Sequence, residues 1–193
     1  MDFLKFKTIT FKTKMTCVSV GASHILALSE QNQAFSWGSG SRGQLGHGDF
    51  KDHKHPKHIS SIFSESRKIL AVGHTSLILD EFNTIRTFGC NRQGQLGANS
   101  DMDCRNTPDK IGKQFLLDDI LMFKGHYDEH RNRHTLSFMN SESEIFVWGC
   151  FDIPLTGSSQ KDGDEIIRMP KPMNFLFNKC LKMKIKSYEI DST

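Results

Sequence analysis

Several features are scarce or missing in this sequence, and each narrows the reading. No apolar run approaches the ~20 residues of a membrane-spanning helix, so no such span is expected. The opening stretch, Met1-Asp2-Phe3-Leu4-Lys5-Phe6-Lys7-Thr8, alternates apolar and charged residues. It lacks the continuous apolar segment of a secretory signal and reads as an edge strand guarded by lysine. The cysteines, at 17, 90, 104, 150 and 180, are odd in number and contain no Cys-x-x-Cys. A reduced intracellular chain, cytoplasmic or nuclear, is the expectation. Charge of one sign is barely in excess: Lys and Arg number 25 against 22 Asp and Glu, a net charge of +3. That balance does not indicate nucleic acid, which draws on a clustered basic patch. Helical periodicity is weak, and only Ile59–Phe63 and Gln114–Leu117 could hold a helical turn. No nucleophile stands in a recognisable setting. The glycine-rich run Gly38-Ser39-Gly40-Ser41-Arg42-Gly43 lacks the Lys-Ser/Thr of a phosphate loop and does not open a helix. No catalytic residue and no cofactor are therefore expected. What remains is an ordinary globular composition, 37% hydrophobic and 24% charged over 193 residues, enough for one sizeable core.

What is present is repetition. Trp37-Gly38 leads into a turn that ends Gly43-Gln44-Leu45-Gly46, and Phe88-Gly89 leads into one that ends Gly94-Gln95-Leu96-Gly97. The shift is 89 − 38 = 51 residues at the aromatic-glycine pair and 94 − 43 = 51 at the core of the turn. Glycine at such positions permits positive φ or close backbone approach, and the leucine, the one large apolar residue of the turn, should point inward. Upstream stand Val18–Leu28 and Ile69–Leu79, and downstream each turn leads to a proline and an isoleucine, Pro56 with Ile59 and Pro108 with Ile111. A third, worn copy has Ile120–Gly125, His134-Thr135-Leu136, Ile145–Gly149 and a turn at Pro154–Gly157. A period in this range signals a repeat array.

Short strands at regular spacing follow. They are expected over 17–21, 24–29 and 33–37, over 68–72, 76–80 and 84–88, and over 119–123, 134–139 and 144–148, with one or two more within 3–15. The third copy starts late, since 149 − 89 = 60 residues. Its excess falls in His126-Tyr127-Asp128-Glu129-His130-Arg131-Asn132-Arg133, a polar stretch that should form a projecting loop, exposed and poorly ordered. The single domain, 1–193, then divides into repeats at about 17–66, 67–117 and 118–173. Residues 174–193, with Leu181, Met183 and Ile185 alternating with lysines, resemble the opening strand of a fourth.

These motifs resemble the RCC1 (regulator of chromosome condensation) repeat, which pairs Gly-x-x-His-(Ser/Thr)-x-x-Leu with Trp-Gly-x-Asn-x-x-Gly-Gln-Leu-Gly. Gly21, His24, Leu28, Trp37, Gly38, Gly43, Gln44, Leu45 and Gly46 match in the first copy. Gly73, Leu79, Gly89, Asn91, Gly94, Gln95, Leu96 and Gly97 match in the second, where Ser76 stands in the histidine's place and Phe88 in the tryptophan's. His134, Thr135, Trp148, Gly149 and Gly157 match in the third, which has lost the Gly-Gln pair. The resemblance implies an all-β fold of β-propeller blades, here a partial set of about three, forming an open arc or borrowing the chain ends as a makeshift fourth blade.

It also implies a non-catalytic platform for protein partners. The expected contact surfaces are the loop at 47–58, with His53 and His55, and the stretch carrying Tyr127, Asp128, Glu129, His130 and Arg131. Crowded imidazoles suit transition metals, but His47, His53, His55 and His58, with Asp49 and Asp52, lack the paired spacing of a zinc site. His126, His130 and His134, whose four-residue steps would share one face of a helix, lie where the repeat begins a strand, His134 matching the repeat histidine. No metal is expected. The alternative function is guanine-nucleotide exchange on a Ran-like small GTPase, as in the family's founding member, with Asp128, Glu129 and His130 in the contacting role. A further alternative is chromatin or nucleic-acid binding through the lysines of 5–14 and 179–186. A protein partner, from the small-GTPase or ubiquitin systems, is the first expectation, with self-association open, nucleic acid disfavoured and no membrane.

Overall fold

A computed structural model describes residues 8–98, 100–111, 119–153 and 163–173. Twelve strands follow one another: β1 (Met15–Val20), β2 (His24–Ser29), β3 (Ala34–Gly38), β4 (His53–His58), β5 (Ser66–Val72), β6 (Thr75–Asp80), β7 (Ile85–Cys90), β8 (Cys104–Lys110), β9 (Ile120–Asp128), β10 (Arg133–Asn140), β11 (Ile145–Ile153) and β12 (Gly163–Pro172). They form three antiparallel sheets in simple up-and-down order, β1-β2-β3-β4, β5-β6-β7-β8 and β9-β10-β11-β12. Among the described residues there is no helix. The fold is all-β, three four-stranded propeller blades, with blade 2 packed between the other two through β5 against β1, β2 and β9.

The middle hairpin of every blade has one geometry. Ser29, Asp80 and Asn140 each open a turn whose fourth residue, Asn32, Asn83 or Ser143, takes positive φ (58°, 56° and 65°). The opening side chain caps the turn: the N–H of Gln33, Thr84 or Glu144 donates to Ser29 Oγ, Asp80 Oδ1 or Asn140 Oδ1. These are Asx- and Ser-type turns, the reason short polar residues recur there.

Each blade also has a fourth strand that the sequence pattern does not announce. β4 reads His-Lys-His-Pro-Lys-His and β8 reads Cys-Arg-Asn-Thr-Pro-Asp-Lys. Neither alternates apolar and polar residues. Both are outer edge strands, where proline and charge are tolerated and discourage further pairing. The core lies between blades. Leu77, Leu79, Ile85, Ile111, Leu136, Phe138 and Trp148 join blades 2 and 3, and Leu26, Leu28, Ile59, Ile69, Ile78 and Phe88 join blades 1 and 2.

Several expectations are corrected. Residues 8–14 form no strand, although Phe11 packs edge-on against Trp37 at 5.8 Å. Residues 53–58 are strand rather than loop. The polar stretch 126–133 is no detached loop: β9 and β10 run on through it and pair up to Asp128 and Arg133, leaving only 129–132 as a turn. Ile59–Phe63 holds a single hydrogen-bonded turn, Ile62 N–H to Ile59 O at 3.3 Å. Residues 3–7, Gln114–Leu117, the turn with Gly157 and the lysine-alternating segment at 181–186 lie outside the described residues.

Candidate functional site

Up-and-down order places the β1–β2, β5–β6 and β9–β10 tips at one end of the blades, together with the glycine turns that join β3 to β4 and β7 to β8. The glycine turns build this end. In the first, Gly43 N–H donates to Gly40 O and Gly46 N–H to Gly43 O, and in the second Gly94 bonds Asn91 and Gly97 bonds Gly94. Gly43 and Gly94 have φ of 77° and 70°, and Gly46 and Gly97 have 73° and 65°. Leu45 and Leu96 are buried, their carbonyls accepting from the hydroxyls of Ser36 and Thr87.

Each turn is the socket for the next blade. A Cβ on Gly43 would lie 2.5 Å from Arg105 O on β8, and one on Gly46 2.8 Å from the Phe88 ring of β7. In the second turn Gly94 meets Arg168 on β12, and Gly97 meets Ile111 and the Trp148 indole. The glutamines complete the seam. Trp148 Nε1–H donates to Gln95 O at 2.9 Å. Phe88, the counterpart of Trp148, has no N–H to offer Gln44, and Ser76 Oγ supplies the donor at 2.7 Å instead. Ser76 Oγ, its proton thus committed, accepts from His24 Nε2–H at 2.8 Å.

The two repeat histidines are one ladder position apart. His24 faces Gly38, but it is Thr135, not His134, that faces Gly149, and Thr75, not Ser76, that faces Gly89. The one-residue offset turns the side chain to the other face of the strand. His24 therefore reaches forward into blade 2, while His134 reaches back to it. There His134 Nε2 accepts from the His74 N–H at 3.3 Å, which leaves the proton on Nδ1, 3.4 Å from Gln93 Oε1. Counting fifteen residues back from the aromatic-glycine pair, 38 − 15, 89 − 15 and 149 − 15, aligns Ser23, His74 and His134. That count is the sequence signal for His74, which the motif match passes over.

Burial sets the charge of this end. Desolvation lowers the pKa of His24 to about 4, helped by His74. Desolvation, then His74 and Arg42, lower His134 to about 4. His74 is lowered by burial and by Arg42. All three are neutral structural imidazoles at physiological pH. At the outer rim, burial is the first cause lowering His47 to about 4, with Lys57 and His53 adding to it against Ser36 and Asp49. The His47 and His53 rings stand 4.8 Å apart. Exposed His55 lines a different cleft with the N-terminal segment. Among the described residues no group of three His, Cys, Asp or Glu side chains is arranged to hold a metal ion.

The β9–β10 tip stands out from the other two. The β1–β2 tip closes within Gly21–Ser23 and the β5–β6 tip within Gly73–His74, whereas β9–β10 continues to 129–132. Tyr127 anchors the longer arm. Its ring covers Gly73, where a Cβ would come within 2.7 Å of it, and lies 4.6 Å from the His134 ring and 5.8 Å from that of His74. Tyr127 OH donates to Asn132 Oδ1 at 3.1 Å, and Asp128 Oδ1 accepts the Arg131 N–H at 3.2 Å. Glu129, His130 and Arg131 are exposed at the apex. Beneath the arm a cleft of about 310 Å³ runs along Val20, Gly21, Ala22, Gly73, Gly125 and Tyr127. Of the expected contact residues, Tyr127 and Asp128 end β9 and Glu129, His130 and Arg131 stand in the turn that follows it, while His53 and His55 lie apart on the edge strand of blade 1. The arrangement offers a polar, shaped surface, and its hydroxyl–imidazole pairs, Ser76 with His24 and Ser36 with His47, belong to the seam and the glycine turn.

A family model described as the regulator of chromosome condensation (RCC1) repeat matches residues 31–75, and a second model of the same description matches 15–44. The chain carries RCC1 repeats. The first match runs from the β2–β3 turn of blade 1 into the start of β6 in blade 2, so an RCC1 repeat here bridges two blades, as the socket contacts do. Among curated relatives, an RCC2 homolog of Danio rerio is 38% identical over 101 residues, 51% of this chain and 20% of that protein. The probable E3 ubiquitin-protein ligase HERC3 of Homo sapiens is 30% identical over 138 residues, 69% of this chain and 12% of that protein. Among solved structures, Prp20p of Saccharomyces cerevisiae, described with its binding properties to Gsp1p and histones, superposes with a TM-score of 0.67 at 19% identity. That match covers 88% of this chain and 41% of Prp20p, and it bears on the fold alone. The chain thus spans a fifth or less of these two curated relatives.

Proposed function

We propose that this chain is a protein-interaction platform with no catalytic groups of its own, working through the end of its blades that carries the β9–β10 hairpin. The observation that carries the reading is the extension of that hairpin. The other two inner tips close in two or three residues, while this one runs on past Tyr127, packed on Gly73, to an apex where Glu129 and His130 are exposed. A hairpin anchored by Tyr127 and ending in a polar apex suits a partner, since loops on a stiff scaffold carry recognition. The 1–193 chain works as one repeat domain inside the cell, a reading that rests on its odd number of cysteines and the lack of any Cys-x-x-Cys. Similarity to a probable E3 ubiquitin-protein ligase and, in fold, to a protein described with Gsp1p supports a partner from the ubiquitin or small-GTPase systems.

The test compares wild type with the Glu129→Ala/His130→Ala variant, two exposed apex residues whose loss leaves the blades intact. Protein captured stoichiometrically by the wild type should be weakened about tenfold or more by the variant, roughly 1.4 kcal/mol, at unchanged melting temperature. Equal capture by both would reject the hairpin as the contact. Release of a fluorescent guanine nucleotide from a Ran-like GTPase separates the exchange reading: no acceleration is expected, and acceleration abolished by the same variant would replace the platform reading.

A further inference from the structure

Cys90 and Cys104, fourteen positions apart in the chain (104 − 90 = 14), face each other directly across β7 and β8. The Asn91 N–H donates to Asp103 O at 2.7 Å, while the Cys90 N–H turns the opposite way, to His74 O at 3.0 Å. Cys90/Cys104 is therefore a non-hydrogen-bonded pair of the ladder. In such pairs the Cα atoms stand about 4.5 Å apart and both side chains leave the same face. That separation falls inside the ~4.4–6.8 Å range that a disulfide spans, near its short end. Both residues are free thiols. Cys90 is buried and Cys104 half-buried, so a small reagent meets Cys104 first. Arg42, reaching over from the glycine turn of blade 1, brings Nη1 to 3.9 Å from Cys90 Sγ.

We propose that Cys90 and Cys104 form a reversible thiol–disulfide site, closed by a low-molecular-weight disulfide of the glutathione type. The Cys104 thiolate attacks the small disulfide, forming a mixed disulfide and expelling one small thiolate, which takes up the proton that Cys104 gave up. The Cys90 thiolate, beside the Arg42 guanidinium, then attacks Cys104 Sγ. The new Sγ–Sγ bond expels the second small thiolate, which is protonated in turn. Two protein thiols are oxidised and one small disulfide is reduced to two thiols, so no other oxidant is needed. Burial and then the neighbouring Cys90 raise the Cys104 pKa, with Asp103 adding to this and Arg42 and Arg92 opposing it. The raised pKa lowers the thiolate fraction at Cys104 and so slows entry there.

Closure would clip the outer strand β8 to β7 on the surface that receives the blade 1 turn, where the Gly48 N–H donates to Asn106 O at 2.9 Å. Blade 3 provides an internal control. Cys150 holds the position of Cys90, its carbonyl accepting from Thr135 as that of Cys90 does from Thr75, but its ladder partner is Ile166.

The test exposes the full chain to oxidised glutathione, alkylates it in denaturant and maps its tryptic peptides. The expected product joins the peptide 87–92 to the peptide 93–105 with the loss of two hydrogens, is undone by dithiothreitol, and leaves Cys150 alkylated. Cys104→Ser should abolish it, and Cys90→Ser should stop at a glutathione adduct on Cys104. Full alkylation of Cys90 and Cys104 in the wild type after oxidation, or a linkage of Cys104 to Cys17 or Cys150 instead, would overturn the proposal whatever the variants do.

Discussion

The Ser76 hydroxyl donates to Gln44 O and accepts from His24 Nε2, so one small side chain satisfies a buried carbonyl of blade 1 and a buried imidazole at once. Ser76→Ala leaves both without a partner, and each buried orphan costs about 1–3 kcal/mol. The expected loss in urea unfolding is at least about 2 kcal/mol. Adding Phe88→Trp should recover part of it, because an indole N–H there can reach Gln44 O as Trp148 reaches Gln95 O. Losses that simply add in the double variant would refute this account of the seam. The glycine turns themselves were legible in the sequence, because positive φ and close approach demand glycine at Gly43, Gly46, Gly94 and Gly97. The ladder puts Thr75, not Ser76, at the level of His24, with Ser76 at that of Ile25. Ser76 stood out only as a departure from the repeat motif. Its role depends on Phe88 lacking a donor, which is a relation across blades.

At the scale of elements, the strands with apolar alternation were readable and the outer ones were not. β6, Thr-Ser-Leu-Ile-Leu-Asp, is buried along its whole length, whereas β4 and β8 owe their strand geometry to the neighbouring strand that they pair with. The polar composition of 126–133 suggested a loose loop, but pairing from Ile120 to Asp128 against Arg133 to Asn140 carries the strands through it. The apolar contact that fixes the arm is made by Tyr127 on a glycine of another blade, and no local pattern encodes that. Two consequences separate anchor from apex. Tyr127→Ala should destabilise the chain by about 2–3 kcal/mol, in line with loss of a packed aromatic. Glu129→Ala/His130→Ala should stay within about 0.5 kcal/mol of wild type. Thermal melts of the three proteins check this, and an inert Tyr127→Ala would return the hairpin to the status of a free loop.

For the whole molecule, the buried histidines impose an acid limit. His24 and His134 hold pKa values of about 4 when folded against 6.5 for the free side chain. Between those values the unfolded chain binds protons that the folded chain refuses. Stability is therefore complete above about pH 6.5 and falls as the pH drops toward 4, by up to about 1.4 kcal/mol per pH unit for each histidine. Urea midpoints that stay flat from pH 7 to 4.5 would contradict this. Among the described residues, apolar surface lies open on β1, where Val18 and Val20 are 56% and 67% exposed. Exposed apolar surface of this kind favours association, so sedimentation velocity should show concentration-dependent association. A compact monomer at all concentrations would speak for a closed set of blades.

The measurement that tests the platform most directly places a photo-cross-linking amino acid at one site per protein, replacing His130 at the apex of the arm or Glu142 at the opposite end of the same blade. Both positions are exposed, and both variants should keep the wild-type melting temperature. Irradiated in a cell extract, the protein labelled at 130 should capture a discrete partner, at a yield that falls when unlabelled wild type competes, while the protein labelled at 142 captures none. Capture from 142 alone, or equally from both ends, would contradict the account.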